Sequence, residues 1–232
     1  MRIFHLDFNF VSQRQEFVRD LLARVAAMGY DAILWEMENQ VVWETCPECA
    51  TPESWSKSSF RELLRYSREL GLEPIPLLQT IGHGEYVMSH PRYHAFREHP
   101  DFCDCYCVSK PGVRDFLRRW IREYCDLFGD LRYFHLGGDE AYQFGHCPKC
   151  STRDRQALYG EHVNALAEEL RKRQIRPGIW SDMIMAEPAK LGSIPHDIIV
   201  WDWNYSNGVS VPKAIHVAGV GTLKKADVTP EL

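Results

Sequence analysis

Residues 131–140 read LRYFHLGGDE. A short apolar run stops at two glycines and then presents Asp139 and Glu140 side by side, with CPKC following at 147–150. A brief, mostly apolar run bounded by glycines is the pattern of a strand covered on both faces, as in a parallel sheet. Adjacent carboxylates repel each other. Their place at the end of a buried strand calls for a reason, and the flanking chain supplies one.

Strand-like and helix-like segments alternate along the chain. Residues 2–8 (RIFHLDF) predict a strand, and Ser12 with Gln15 makes a capping-box pattern before a helix whose Phe17, Leu21, Val25 and Met28 share one face, ending at Gly29. DAILWEM at 31–37 is a second strand. A loop containing CPEC (46–49) leads to a helix from about Ser58, with Phe60, Leu63, Leu64 and Leu70 at helical spacing and Gly71 closing it. The third strand, EPIPLLQT at 73–80, precedes a long loop rich in His, Pro and Cys, then a helix starting near Pro111 that buries Phe116, Leu117, Trp120 and Tyr124. Loops of that length inside a domain are commonly functional. After the fourth strand, LRYFHLGG, come a helix around 156–173, a fifth strand at 177–184 (PGIWSDMI), a sixth at 197–205 (DIIVWDWNY) and a seventh at 216–223 (HVAGVGTL).

Repeated β-then-α units with apolar strands predict a parallel sheet, and six or seven such units favour a TIM-type (β/α)8 barrel over a doubly wound sheet. No Gly-rich phosphate loop follows any strand, which counts against a nucleotide fold. No eighth strand is recognisable. The expectation is a single catalytic barrel domain over 1–232, incomplete as it stands, whose closure would need more chain or a second copy in a homo-oligomer.

Composition narrows the partner. With 232 residues, 45% hydrophobic and 25% charged, the chain has the make-up of an ordinary soluble domain, and a net charge of −5 offers no basic face for nucleic acid or an anionic membrane surface. No run approaches the ~20 apolar residues of a membrane span, and the N-terminus enters a strand with no signal-peptide pattern, so a cytoplasmic location is expected. The seven Trp and 12% aromatic content supply apolar platforms on which a sugar ring can rest.

In such barrels the C-terminal ends of the strands line the active site. Those ends deliver Asp7 and Asn9; Glu36, Glu38 and Asn39; Gln79 and His83; Asp139, Glu140 and Tyr142; Trp180 and Asp182; then Trp201, Asp202, Trp203 and Tyr205. Carboxylates and aromatics on one face are the composition of a carbohydrate site. Asp7, Glu38, His83, Tyr142, Trp180 and Trp203 are the expected substrate contacts, although His5, Asp7, Glu36 and Glu38 also suit a buried polar network in the barrel mouth. Trp201 is expected to pack outside the barrel, and Trp35, Trp43, Trp55 and Trp120 to pack in the core or loops.

HLGGDE at 135–140 resembles the fourth-strand hallmark of glycoside hydrolase family 20, the β-N-acetylhexosaminidases. LLQTIGH at 77–83 is similar to the family's third-strand motif ending in Gly-His, and Trp180 and Trp203 fall at matching places on the fifth and sixth strands. The likeness runs from Leu6 to about Tyr205 and is strongest in the fourth strand. It implies hydrolysis of terminal N-acetylglucosamine or N-acetylgalactosamine with retention, with no catalytic cofactor, the substrate's own 2-acetamido oxygen serving as nucleophile. Glu140 would be the general acid and base, and Asp139 would hold the acetamido N–H. Alternating side-chain direction lets neighbouring residues address two groups of one sugar. The candidate seventh strand carries no carboxylate, which agrees with a substrate-supplied nucleophile.

This sequence departs from the family pattern in three places, one being that the Tyr and Trp contributed by the family's last two strands are not identifiable. Phe10 or a neighbour stands where the family has an Arg after the first-strand Asp, and Glu38 with Asn39 stand for a second-strand Asp pair. The alternatives are a barrel glycosidase of other sugar specificity and a non-catalytic, sugar-binding incomplete barrel.

Eight Cys without a secretion signal point to metal or free thiols more than to a disulfide framework. CPEC (Cys46, Cys49) and CPKC (Cys147, Cys150) each have the spacing that grips one Zn²⁺, and together they predict a closed, structural site of four thiolates. Cys103, Cys105 and Cys107 lie on the loop between them, so a different ligand set is open, with His146 as a further candidate.

Overall fold

The computed structural model describes residues 1–9, 11–185, 192, 194–203, 214–217 and 221–224, the last two segments as backbone. Six strands, β1 (Ile3–Asp7), β2 (Ala32–Glu36), β3 (Glu73–Leu77), β4 (Tyr133–His135), β5 (Arg176–Trp180) and β6 (Ile199–Trp201), form one sheet in sequence order. All five pairings are parallel. Consecutive parallel neighbours require a crossover after every strand, and the helices supply it: α1 (Gln15–Ala27), α2 (Lys57–Glu69), a one-turn α3 (Glu85–Met88), α4 (Val113–Phe128), α5 (Arg155–Arg171) and a one-turn α6 (Asp182–Met185). The architecture is six strands of a (β/α)8 barrel. Among the described residues no helix is long and apolar enough to cross a membrane.

The seventh strand differs from expectation. Ala214–Val217 and Gly221–Lys224 are two short strands, β7 and β8, paired antiparallel with each other and separate from the six-stranded sheet. The stretch at 216–223 thus contributes its described residues to two strands that pair with each other, not to a seventh strand of the sheet. Tyr205 and Phe10 lie outside the described residues.

Strand alternation sorts the side chains. Phe4, Leu6, Ile33, Trp35, Phe134 and Ile179 join the main core under the helices, while Ile3, Ala32, Leu34, Ile75, Leu77, Tyr133, Trp180, Trp201 and Trp203 form a second cluster on the concave face. Trp201 is therefore inside, not outside. Trp180 pairs in register with Trp201, and residues two apart on a strand face the same way, so Trp201 and Trp203 cannot be assigned to opposite faces.

The helices bury faces that their sequences specify, with one exception. In α2, Ser56 caps the first turn by accepting the Ser59 N–H at 3.2 Å, and Phe60, Leu63, Leu64 and Ser67 are buried. In α4, Phe116, Leu117, Trp120, Tyr124 and Phe128 are buried, and the Tyr124 ring stacks on Trp43 at 4.1 Å. Trp35, Trp43, Trp55 and Trp120 all lie in the core. In α1 the helix begins after Arg14 rather than at a Ser12 cap, and it buries Val18, Leu22 and Val25, leaving Phe17 and Met28 53% and 70% exposed. Two apolar stripes lie about one residue apart on this helix, and the branched one faces the sheet.

Candidate functional site

The C-terminal ends of the strands surround a cleft of about 250 Å³ lined by His5, Asp7, Asn9, Glu36, Gln79, His83, Asp139, Glu140, Trp180 and Trp203. Six of the eight residues expected at the site, other than the cysteines, are here: Asp7, His83, Asp139, Glu140, Trp180 and Trp203. Glu38 and Tyr142 are not on that lining. Glu38 is buried behind the second strand end, and Tyr142 stands at the exposed rim, where its hydroxyl donates to Glu140 Oε1 at 2.9 Å.

The backbone after β4 is built to turn sharply. Gly137 and Gly138 have φ of 62° and 91°, and Gly137 N–H donates to His135 Nδ1 at 3.0 Å. A Cβ on Gly137 would meet the Gln79 side chain at 2.1 Å. Both glycines suit the left-handed backbone of this turn, and the space beside Gly138 is filled by the Tyr159 hydroxyl, 2.7 Å from where a Cβ would lie. Three of the four non-glycine residues with positive φ among the described residues, Glu38, His83 and Glu140, also lie on the loops that follow strand ends around this cleft. Such backbone strain concentrates at functional sites.

A cation sits between the two carboxylates. His83 Nε2 is 3.4 Å from Asp139 Oδ2 and 3.5 Å from Glu140 Oε2. The hydrogen bond to Asp139, opposed by burial and assisted by the charges of Asp139 and Glu36, raises the His83 pKa to about 9. At neutral pH His83 is an imidazolium that offsets the repulsion of Asp139 and Glu140. Glu140 is further held from behind: its N–H donates to Asp182 Oδ2 at 2.9 Å, and the Trp203 indole is another partner of that carboxylate. Burial raises the Asp182 pKa.

Asp139 is placed differently. Its Oδ1 is buried and has no hydrogen-bond partner among the described residues. An acceptor at the wall of a cleft with no donor to satisfy it is a position prepared for a ligand N–H or O–H.

The floor is a hydrogen-bonded relay. His5 Nε2 lies 2.9 Å from Glu36 Oε2, Gln79 Nε2 donates to Glu36 Oε1 at 2.7 Å, and Gly138 N–H donates to Gln79 Oε1 at 3.2 Å. Burial raises the Glu36 pKa, against the hydrogen bond from His5. Burial also works against the charge on His5, but the hydrogen bond and charge of Glu36 prevail and raise its pKa. His135 is fully buried and held neutral, its ring 4.4 Å from that of Trp180. Trp180 and Trp203 supply the apolar wall. Of His5, Asp7, Glu36 and Glu38, the set suited to a polar network, His5 and Glu36 are hydrogen-bonded to each other, and Gln79 is a further member outside that set.

The cysteines are arranged otherwise than their spacing suggests. Cys46 and Cys49 are disulfide-bonded to each other. Cys147 and Cys150 gather instead with Cys107 and Glu98, whose four donor atoms lie within 4.8 Å of one another. The predicted set of Cys46, Cys49, Cys147 and Cys150 is thus split, because the long third loop, not the second, folds against the loop after β4. His146 is exposed and outside the cluster.

The family model for glycosyl hydrolase family 20, catalytic domain, matches residues 35–221. Hexosaminidase D of Bos taurus is 28% identical over 221 residues, covering 88% of this chain and 63% of that protein; Hexosaminidase D of Homo sapiens is 25% identical, covering 88% and 45%. The chain therefore spans about half to two thirds of the length of these relatives. Among solved structures, the chitobiase of Flavobacterium johnsoniae superposes with a TM-score of 0.75 at 21% identity over 88% of this chain and 34% of that one. Dispersin B does so at 0.69 and 18% identity, over 88% and 65%. With the family match extending over most of its length and the same barrel architecture, this chain belongs to the glycosyl hydrolase family 20 catalytic domains.

Proposed function

We propose that this domain hydrolyses terminal β-linked N-acetylhexosaminides with retention, using the substrate's acetamido group as nucleophile. The observation that carries this reading is the unpartnered, buried Asp139 Oδ1 beside Glu140 on the cleft wall. In the proposed reaction Asp139 accepts the acetamido N–H, turning the carbonyl oxygen toward the anomeric carbon. That oxygen forms a bond to the anomeric carbon as the glycosidic bond breaks, and Glu140 gives its proton to the leaving oxygen. The resulting oxazolinium carries positive charge, which the Asp139 carboxylate stabilises. Glu140, now a carboxylate, takes a proton from water as the water oxygen attacks the anomeric carbon and reopens the ring. Trp180 and Trp203 would stack on the sugar's apolar face, and Asp7 with His83 would meet its hydroxyls and the two acids.

Two substrates and one variant test the reading. An aryl N-acetyl-β-glucosaminide should be cleaved, and the matching aryl glucoside, which lacks the acetamido group, should be a very poor substrate. Equal cleavage of both would replace this mechanism with that of an ordinary barrel glycosidase. Glu140→Gln should lose most turnover on the first substrate, and undiminished turnover would remove Glu140 from the chemistry. The sheet among the described residues has open edges at β1 and β6, so activity is proposed for a barrel whose wall is completed by further βα units or by a second copy. Sizing the chain in solution separates those two arrangements.

A further inference from the structure

Outside the lining of the cleft, Glu98, Cys107, Cys147 and Cys150 form a cluster whose acid and two of whose thiols are no more than 1% exposed. Cys107 Sγ is 3.5 Å from Cys147 Sγ and 3.7 Å from Cys150 Sγ, and Cys150 Sγ is 3.8 Å from Glu98 Oε2. A tetrahedral zinc with Zn–S bonds of about 2.3 Å has ligand–ligand edges of ~3.8 Å, slightly shorter where one ligand is oxygen. Those three separations match such edges, and all four donor atoms lie within 4.8 Å of one another.

Two further features point to a cation. Glu98 is buried, and no Lys, Arg or His forms an ion pair with it among the described residues. A carboxylate removed from water without a counter-charge is costly, and a divalent ion would supply that charge. The CPKC loop also has the backbone of a metal knuckle: Cys150 N–H lies 3.4 Å from Cys147 Sγ and donates to Cys147 O at 3.0 Å, while Ser151 N–H donates to the same carbonyl at 2.9 Å. Outer partners hold the ligands in place. Glu98 Oε1 accepts the Cys147 N–H at 2.9 Å, leaving Oε2 toward the sulfurs, and Ser109 Oγ is 3.1 Å from Cys150 Sγ.

We propose that Cys107, Cys147, Cys150 and Glu98 bind one structural Zn²⁺ that clamps the β3–α4 loop to the β4–α5 loop. Three thiolates and a carboxylate fill the tetrahedron, so no position remains for a reacting water. The clamp joins the loop bearing His83 to the loop that begins with Asp139 and Glu140. Binding releases the protons of any neutral thiols to solvent, and no oxidation or reduction is involved.

The test is metal content and cobalt spectroscopy of the whole, reduced protein. One zinc per chain is expected, and replacement by Co²⁺ should give sulfur-to-cobalt charge-transfer bands with the intense visible bands of tetrahedral coordination. Cys107→Ser and Cys150→Ser should lose both, Glu98→Gln should weaken binding, and Cys46→Ser with Cys49→Ser should keep full occupancy. Stripping the metal from wild type should lower Tm by several degrees, reversibly on zinc addition. The wild-type cobalt titration does not depend on any variant folding. Substoichiometric zinc with no cobalt spectrum would overturn the proposal, as would a Cys107–Cys147 disulfide in the metal-free protein or loss of metal on changing Cys46.

Discussion

His83 Nε2 lies 3.4 Å from Asp139 Oδ2, and this contact is the main reason the imidazole titrates near 9 instead of 6.5. A group whose pKa is raised by folding stabilises the protein fully below its unfolded value, and that stabilisation fades as pH rises through the folded value. The contribution of His83 is therefore complete below pH 6.5 and lost as pH passes about 9. His83→Gln should remove that part of the fall in Tm across this window, measured as the difference between wild type and variant. Asp139→Asn should bring the His83 imidazole titration, followed by NMR, back toward 6.5. A His83 that titrates unchanged in Asp139→Asn would show that the pair does not exist in solution.

Glu38 predicts an effect of opposite chemistry. Burial, followed by the charge of Glu36, raises its pKa to about 9, so the folded chain holds it neutral at pH 7 while the unfolded chain ionises it above 4.5. That difference costs stability progressively from pH 4.5 to about 9. Glu38→Gln, a neutral isostere, should match wild type in acid and exceed it by roughly 1 to 3 kcal/mol at pH 7. Denaturant unfolding at pH 4 and pH 7 measures both arms. Equal stability at the two pH values relative to wild type would mean that Glu38 is hydrated in solution.

The alternation of strands and helices, and the place of Asp139 and Glu140 at the end of β4, were legible because each rests on local pattern. Period and breaker residues mark elements, and the barrel rule converts a strand end into a site position. Three features were not. On α1 the stripe of Phe17, Leu21 and Met28 is as apolar as that of Val18, Leu22 and Val25, and only docking on the sheet chooses between them. CPEC and CPKC have the same spacing, so the partner of Cys147 and Cys150 depends on the path of a loop some 40 residues upstream, which no spacing encodes. The stretch at 216–223 is as apolar as a barrel strand, but its described residues divide between two strands paired antiparallel with each other, a partnership outside the six-stranded sheet that no local pattern encodes.

Gly82 tests how tightly the loop after β3 fits against the loop after β4. A Cβ added there would lie 2.2 Å from the Asp139 carbonyl oxygen, which is backbone and cannot swing away. Gly82→Ala should cost about 1 to 3 kcal/mol as an overpacking change. Because the displaced residue is Asp139, turnover on an N-acetyl-β-glucosaminide should fall by on the order of 100-fold at temperatures where the variant is still folded. Loss of stability alone, with normal turnover in the folded fraction, would separate Asp139 from the reaction.

Tyr142 offers the complementary case, a contact to Glu140 with little packing behind it. Its hydroxyl donates to Glu140 Oε1 at 2.9 Å, while the residue is 61% exposed. Tyr142→Phe keeps the ring and deletes the donor, so stability should change by less than about 0.5 kcal/mol, as for a surface substitution. In a reaction where Glu140 must be aimed at the leaving oxygen to deliver its proton, losing this hydrogen bond should lower kcat by up to about tenfold with KM nearly unchanged. The split between kcat and KM is the decisive readout, since a rim contact to the sugar alone would raise KM and leave kcat as it is. An unchanged kcat in Tyr142→Phe would mean that the hydroxyl does not position Glu140 in solution.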